Sequence, residues 1–279
     1  MVTNVFTVDV EDWYQGLEVI PTEHWEKYED RIWVGMEPLL ALLDRHGVRA
    51  TFFVLGHLAE RHPDVVRAIH DAGHEVASHG SAHEVVYSLT PEAFRADIRR
   101  SLGLLGEITG GPVRGYRAPF FSITDASRWA LDILAEEGVA YDSSMFPVIN
   151  DRYGVPNGDP LPHWIQTPKG PLLEIPLSTI RFGINLAFSG GAYLRLLHRQ
   201  MIARGVARLN RAGVPCVVYI HPWELDPNHP RIPLPRRIAV SHYWNLRSTL
   251  PKLDDLVSRF AFGPIRDVFG EQLRTAAPI

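Results

Sequence analysis

At 279 residues, with 46% hydrophobic and 22% charged side chains, the chain has the make-up of an ordinary globular protein with room for one large core. A formal charge of -4 gives no electrostatic basis for nucleic-acid binding. The lone cysteine, Cys216, excludes an intramolecular disulfide and any multi-cysteine metal site.

The opening MVTNVFTVDVEDWYQ has no basic segment leading into a long apolar stretch. No secretory signal is expected on that reading, and a cytoplasmic location is the default, with attachment at the membrane periphery as the alternative. No window reaches the ~18 uninterrupted apolar residues a transmembrane segment needs. Strand-like and helix-like stretches then alternate. NVFTVDV (4–10) is β-rich, and MEPLLALLDRHG (36–47) reads as an amphipathic helix stopped by Gly47. RATFFVLG (49–56) reads as a buried strand, and PDVVRAIHDAG (63–73) as a helix with proline near its start and glycine at its end. HEVASHG (74–80) is strand then loop. The Thr-Pro-Glu opening of 90–110 carries helix-capping signals.

Further along, 113–119 predicts a strand, 124–138 a helix, 139–144 a short strand and the Pro/Gly-rich 153–164 a loop. Residues 171–178 predict a strand, 191–212 a long helix, 214–224 a last strand and 249–260 a helical tail. Six or seven β-then-α units with near-continuous apolar strands predict a parallel sheet covered by helices, closed or nearly closed into a barrel. No internal repeat or long linker marks a boundary. One domain, 1–279, is expected, with a core over 1–225 and an extension over 226–279 packed on it.

The polar clusters DVED (9–12), SHGSAH (78–83), RAP (117–119), YDSS (141–144) and IHPWE (220–224) all fall at C-terminal ends of predicted strands. In a parallel barrel those ends meet at one mouth. Asp9 and Glu11 share a strand face if the strand persists, while Asp12 turns into the loop. His79 and His83, four residues apart around small residues, can converge on one divalent ion if a carboxylate from 9–12 joins them. A core or loop role is the alternative for such a pair. Arg117 can fix an acid through a bidentate pair. Asp142 can hold one ring nitrogen of His221 so that the other carries a proton. This inventory suits metal-assisted hydrolysis.

The ordered set TVDVED, SHGSAH, RAPFFS, YDSSMFP and VYIHPWE resembles the five motifs of the NodB-type polysaccharide deacetylases, carbohydrate esterase family four. DVEDW and the C-terminal RIAVSHYWNLRSTLPKLDDLVSRF resemble the subgroup associated with bacterial exopolysaccharide loci. The resemblance implies a distorted (β/α) barrel of about seven parallel strands with a C-terminal helical extension. It also implies one divalent metal, usually zinc, and removal of acetyl groups from N-acetylated sugars of a polysaccharide or oligosaccharide. Carried over by motif, His79 and His83 are metal ligands, Arg117 orients the base, backbone N–H groups of 119–121 help form an oxyanion hole, and Asp142 tunes His221, the general acid.

The first motif departs from Thr-Phe-Asp-Asp. Asp9 is the expected base and Asp12 the expected third ligand, with Glu11 as its alternative. Trp13, Phe120, Phe121 and Trp223 are expected to meet substrate, and Trp164 is a further aromatic near the mouth. A hydrolase of small cyclic amides and a silent carbohydrate-binding relative are the competing readings. The sequence is silent on oligomeric state.

Overall fold

The computed structural model describes residues 2–150 and 153–275; the end of the expected extension, 276–279, and residues 151–152 lie outside the described residues. The strands are β1 (Asn4–Val10), β2 (Thr51–Val54), β3 (Glu75–Ser78), β4 (Gly115–Tyr116), β5 (Tyr141–Asp142), β6 (His163–Thr167), β7 (Gly170–Glu174), β8 (Thr179–Phe182), β9 (Ile184–Ala187), β10 (Val217–Ile220) and β11 (Phe262–Gly263). Nine of them form one sheet, in the order β10-β1-β2-β3-β4-β5-β7-β6, with β11 added beside β1. Every pairing from β10 to β7 is parallel, and only the β6–β7 hairpin is antiparallel. The fold is a distorted (β/α) barrel.

Among the described residues no ladder joins β7 to β10 to close the sheet. The separate hairpin β8–β9 and the segment after it fill this gap: Gly190 bridges Tyr219, and the Val217 N–H donates to Ser178 Oγ at 2.8 Å.

Strand phase decides which side chains reach the interior. Val5, Phe53, Ala77, Tyr141, Leu173, Val217 and Tyr219 pack with one another inside the barrel. Their neighbours Phe6, Val8, Phe52, Val54, Val218 and Ile220 pack outward against the helices. Tyr116 and Leu172 belong to a third cluster under the helices Pro91–Thr109 and Trp129–Glu136. The odd-numbered positions of β1, β2, β3, β5, β7 and β10 therefore face inward, which includes Asp9 near the end of β1, and the same phase carried past the strand ends points Glu11, His79, Arg117 and His221 toward the mouth.

The covering helices used below are α1 (Ile32–Arg45), α2 (Gly56–Arg61), α3 (Pro63–Asp71), α4 (Pro91–Thr109), α5 (Trp129–Glu136), α6 (Gly191–Leu196), α7 (Arg199–Arg211), α8 (Arg236–Tyr243) and α9 (Thr249–Arg259). Helix α1 lies so close to the turn after β10 that a Cβ at Gly35 would stand 2.0 Å from the Pro222 carbonyl oxygen. Leu253, Leu256 and Val257 of α9 join the main apolar cluster, so the C-terminal segment shares the core. The predicted helix over 191–212 is two helices. Leu197 and His198 are extended between them, with ψ of 148° and 141°. The predicted loop over 153–164 gives way to β6 at His163, because that strand finds a partner in β7.

Candidate metal and catalytic site

Glu11 leaves β1 on the inward phase and brings its carboxylate against two imidazoles. Its Oε1 lies 3.0 Å from His79 Nε2 and 2.8 Å from His83 Nε2, and all three side chains are buried. Other contacts fix the tautomer of His79. Its Nδ1 is 2.8 Å from the Arg117 carbonyl oxygen, which can only accept, so Nδ1 carries the hydrogen. A neutral His79 then turns a lone pair toward a carboxylate oxygen, and two acceptors face one another across 3.0 Å.

A cation between them resolves that conflict, either as protons on the imidazoles or as a shared metal ion. The ligand atoms of Glu11, His79 and His83 lie within 4.8 Å of one another. One carboxylate and two imidazoles are a donor set suited to a divalent transition metal. The backbone supports the arrangement at some conformational cost: His83, Phe120 and Phe121 all hold positive φ, between 53° and 56°, around this cluster. The Phe120 ring meets the edge of His83 at 4.4 Å. Burial alone would raise the Glu11 carboxyl. The charges of His83 and His221, with hydrogen bonds from His79 and His83, overcome it and hold the group well below its ordinary value.

Two further groups flank the cluster. Asp9 Oδ1 accepts from Arg117 Nη1 at 2.7 Å, and Arg117 is wholly buried. The guanidinium is fixed on every side. It donates to Thr7 Oγ1, to the Ser143 carbonyl and to Ser143 Oγ, and it lies 4.2 Å above the Phe53 ring. The pair with Asp9 is a single contact, not the bidentate fork expected, because Nε and Nη2 of Arg117 are directed to Ser143 and Nη1 is shared with Thr7. His221 turns Nε2 toward Asp9 Oδ2 at 3.9 Å and Glu11 Oε1 at 4.0 Å, while its Nδ1 is held by Glu224 Oε1 at 2.8 Å. Burial would lower the His221 pKa, but the carboxylates of Glu11, Glu224 and Asp9 reverse it and raise it to about 9.

The structure places several of the expected residues elsewhere. Asp12, expected as the third ligand, points away: its carboxylate accepts the backbone N–H groups of Trp13 and Arg31 at 2.7 and 2.6 Å and ties down the loop after β1. Glu11 stands beside the histidines because it shares the phase of Asp9.

Asp142 does not reach His221, since on β5 it alternates with the inward Tyr141 and so faces outward. It stands opposite Glu174 in register and accepts from Ser144 Oγ at 2.5 Å. Burial raises both carboxyls, and the neighbouring Asp142 helps push Glu174 well above the usual range. Trp13 is core, 1% exposed, stacked on His229 and donating to the Glu29 carbonyl. Trp223 is buried behind His221, stacked at 5.3 Å, and does not line an open surface. Phe121 is likewise mostly buried, packed on Tyr219 and Phe146. Within 119–121, Pro119 has no N–H and the Phe121 N–H is engaged by the Ala118 carbonyl. Trp164 is 36% exposed on β6.

Three contributors escaped the sequence reading. Glu224 accepts from the backbone N–H of His221 and meets its ring, and its second oxygen accepts from buried Arg195 Nε at 2.6 Å. The i, i+3 spacing in IHPWE carried that signal. Arg195 gave none, because nothing in a helix-like run announces a buried ion pair. Gly16 lies against the far oxygen of Glu11, where a Cβ would stand 2.6 Å from Oε2.

Residues 30–139 match the family model described as polysaccharide deacetylase, and 143–270 match one described as a domain of unknown function (DUF3473). A peptidoglycan deacetylase of Helicobacter pylori is 32% identical over 126 residues, 45% of this chain and 42% of that protein. The chain spans about two fifths of the length of the first curated relatives it matches. Among solved structures, a chain from Mycobacterium smegmatis assigned to the polysaccharide deacetylases superposes with a TM-score of 0.66 at 23% identity, covering 98% of this chain and 91% of that one. A family 4 carbohydrate esterase pseudoenzyme of Bacillus anthracis superposes at 0.53 and 15% identity, covering 96% and 65%. These two likenesses concern the fold.

Proposed function

Since the chain carries a polysaccharide deacetylase domain of the NodB type, we propose that it is a metal-dependent hydrolase. Its substrates on this reading are N-acetylated sugars of a bacterial polysaccharide, an exopolysaccharide or its precursor, from which it removes acetyl groups. The observation that carries this reading is the meeting of Glu11 Oε1 with two imidazole Nε2 atoms between Asp9 and His221. Glu11, His79 and His83 would hold the ion, zinc by preference for this donor set. When bound, a divalent ion supplies Lewis acidity toward the acetyl carbonyl and toward water.

The remaining work falls to the chain's own residues. Arg117 holds Asp9 in place through Oδ1, so that Asp9 Oδ2 takes the proton of the attacking water as its oxygen adds to the acetyl carbon. Glu224 fixes the His221 ring through Nδ1, which leaves Nε2–H to protonate the departing sugar nitrogen. The C–N bond breaks, and acetate and a free amine result.

The test combines metal analysis with acetate release from N-acetylated oligosaccharides of glucosamine and of peptidoglycan. Wild type should hold about one divalent ion per chain. Glu11→Gln, His79→Ala and His83→Ala should lose both ion and acetate release, while Asp12→Asn keeps the ion. Acetate release by metal-free wild type would sink the mechanism. Sugar binding without acetate release would mark a silent carbohydrate-binding relative.

A further inference from the structure

Between Glu174 and Glu224 the chain contains no acidic residue, although the protein as a whole carries -4. The same stretch holds Arg181, Arg195, Arg199, Arg204, Arg208 and Arg211. Arg195 is consumed by Glu224, and the other five are exposed. Arg204, Arg208 and Arg211 follow at spacings of four and three on α7 and so share a helix face. The β8–β9 hairpin lies along this helix: a Cβ at Gly205 would stand 2.8 Å from Ile180.

Register places Phe182 opposite Ile184 and Ile180 opposite Leu186, so these four side chains share one face of the hairpin. Ile180 packs against the core, while Phe182, Ile184 and Leu186 are 69%, 54% and 44% exposed. Arg208 joins the two halves. Its guanidinium lies 5.2 Å from the Phe182 ring centroid, and it donates to the Arg181 carbonyl.

An apolar hairpin tip beside arginines, in a stretch with no counter-charge, has the make-up of an interfacial anchor. Acids interspersed among the arginines would be expected of an ordinary solvated face. We propose that the β8–β9 hairpin and the arginine face of α7 dock the protein on an anionic lipid bilayer. Phe182 and Ile184 enter the acyl boundary, and Arg181, Arg204 and Arg208 meet phosphates.

The experiment is co-sedimentation of the full chain with vesicles of equal parts phosphatidylglycerol and phosphatidylcholine, and with phosphatidylcholine alone. Wild type should sediment with the anionic vesicles, weakly with the neutral ones, and less as salt rises. Each of Arg204→Ala and Arg208→Ala should weaken binding by about fivefold, and Phe182→Ser with Ile184→Ser should abolish it. All these side chains are exposed, so unchanged melting temperatures should confirm that the variants fold.

Wild type left in the supernatant with anionic vesicles overturns the proposal, as do variants that sediment like wild type. Arginine-dependent binding to dextran sulfate that ignores the hairpin changes would assign the face to a soluble polyanion instead. A wild-type dimer that the hairpin changes dissolve would assign it to self-association.

Discussion

Glu224 divides its carboxylate between His221 Nδ1 at 2.8 Å and Arg195 Nε at 2.6 Å, with Glu224 and Arg195 fully buried. Burial would raise its pKa, but Arg195 and His221 hold it down to about 2, so it stays charged. Glu224→Gln should therefore lower kcat for acetate release by about a hundredfold, with KM and metal content retained. The buried Arg195 then loses its partner, so the variant needs a circular-dichroism check at the assay temperature. Asp142→Asn should leave kcat nearly untouched, because its carboxyl faces Glu174 on the outer side of β5. Comparable losses of kcat in the two variants would refute the division of roles. Strand phase made this much readable in the sequence: Asp9 and Glu11 fall on one face, and Tyr141 alternates with Asp142. The expectations for Asp12 and Asp142 followed motif order instead, and motif order carries no information about which way a side chain points.

His74 links two elements. It follows α3, and its Nδ1 accepts the Ala50 N–H at 3.2 Å at the entrance to β2. Burial, helped by the charges of Arg49 and Arg266, lowers its pKa from 6.5 to about 4. A depressed histidine is protonated first in the unfolded chain, so its contribution is complete above pH 6.5 and fades as pH falls toward 4. Denaturant titrations across that window should show wild type losing up to about 3 kcal/mol from this group. His74→Gln, whose amide oxygen can still accept from Ala50, should flatten the profile, and an unchanged slope would remove His74 as its source. At this scale the sequence showed the long, periodic elements α1, α3, α4 and β1 well. It placed β4 and β5 within 113–119 and 139–144 but overstated their length, because only two residues of each pair with the neighbouring strands. It also hid the break between α6 and α7, where neither proline nor glycine marks the stop.

At the scale of the molecule, the candidate metal centre ties β1 to the segments after β3, so an ion there should stabilise the whole fold. A site filled at about a hundred times its Kd adds about 2.7 kcal/mol, which for a chain this large is several degrees in Tm. Melts in zinc and in chelator should separate by that amount for wild type and coincide for Glu11→Gln. An equal shift in the variant would place the ion elsewhere. The barrel itself was legible from the alternation of strands and helices. The β8–β9 hairpin was not, because its exposed apolar residues break the pattern of buried strands.

Strand β1 has a temporal consequence. It is flanked by β10 on one edge, and by β2 and β11 on the other, so its partners come from residues 51–54, 217–220 and 262–263. Asp9 and Glu11 are thus synthesised early on a segment that stays half-paired until almost the entire chain is available. Contacts of such long sequence separation slow folding. The reactive mouth is consequently among the last parts of the molecule to assemble, and a chain cut short at its carboxyl end would be felt first at its amino-terminal strand.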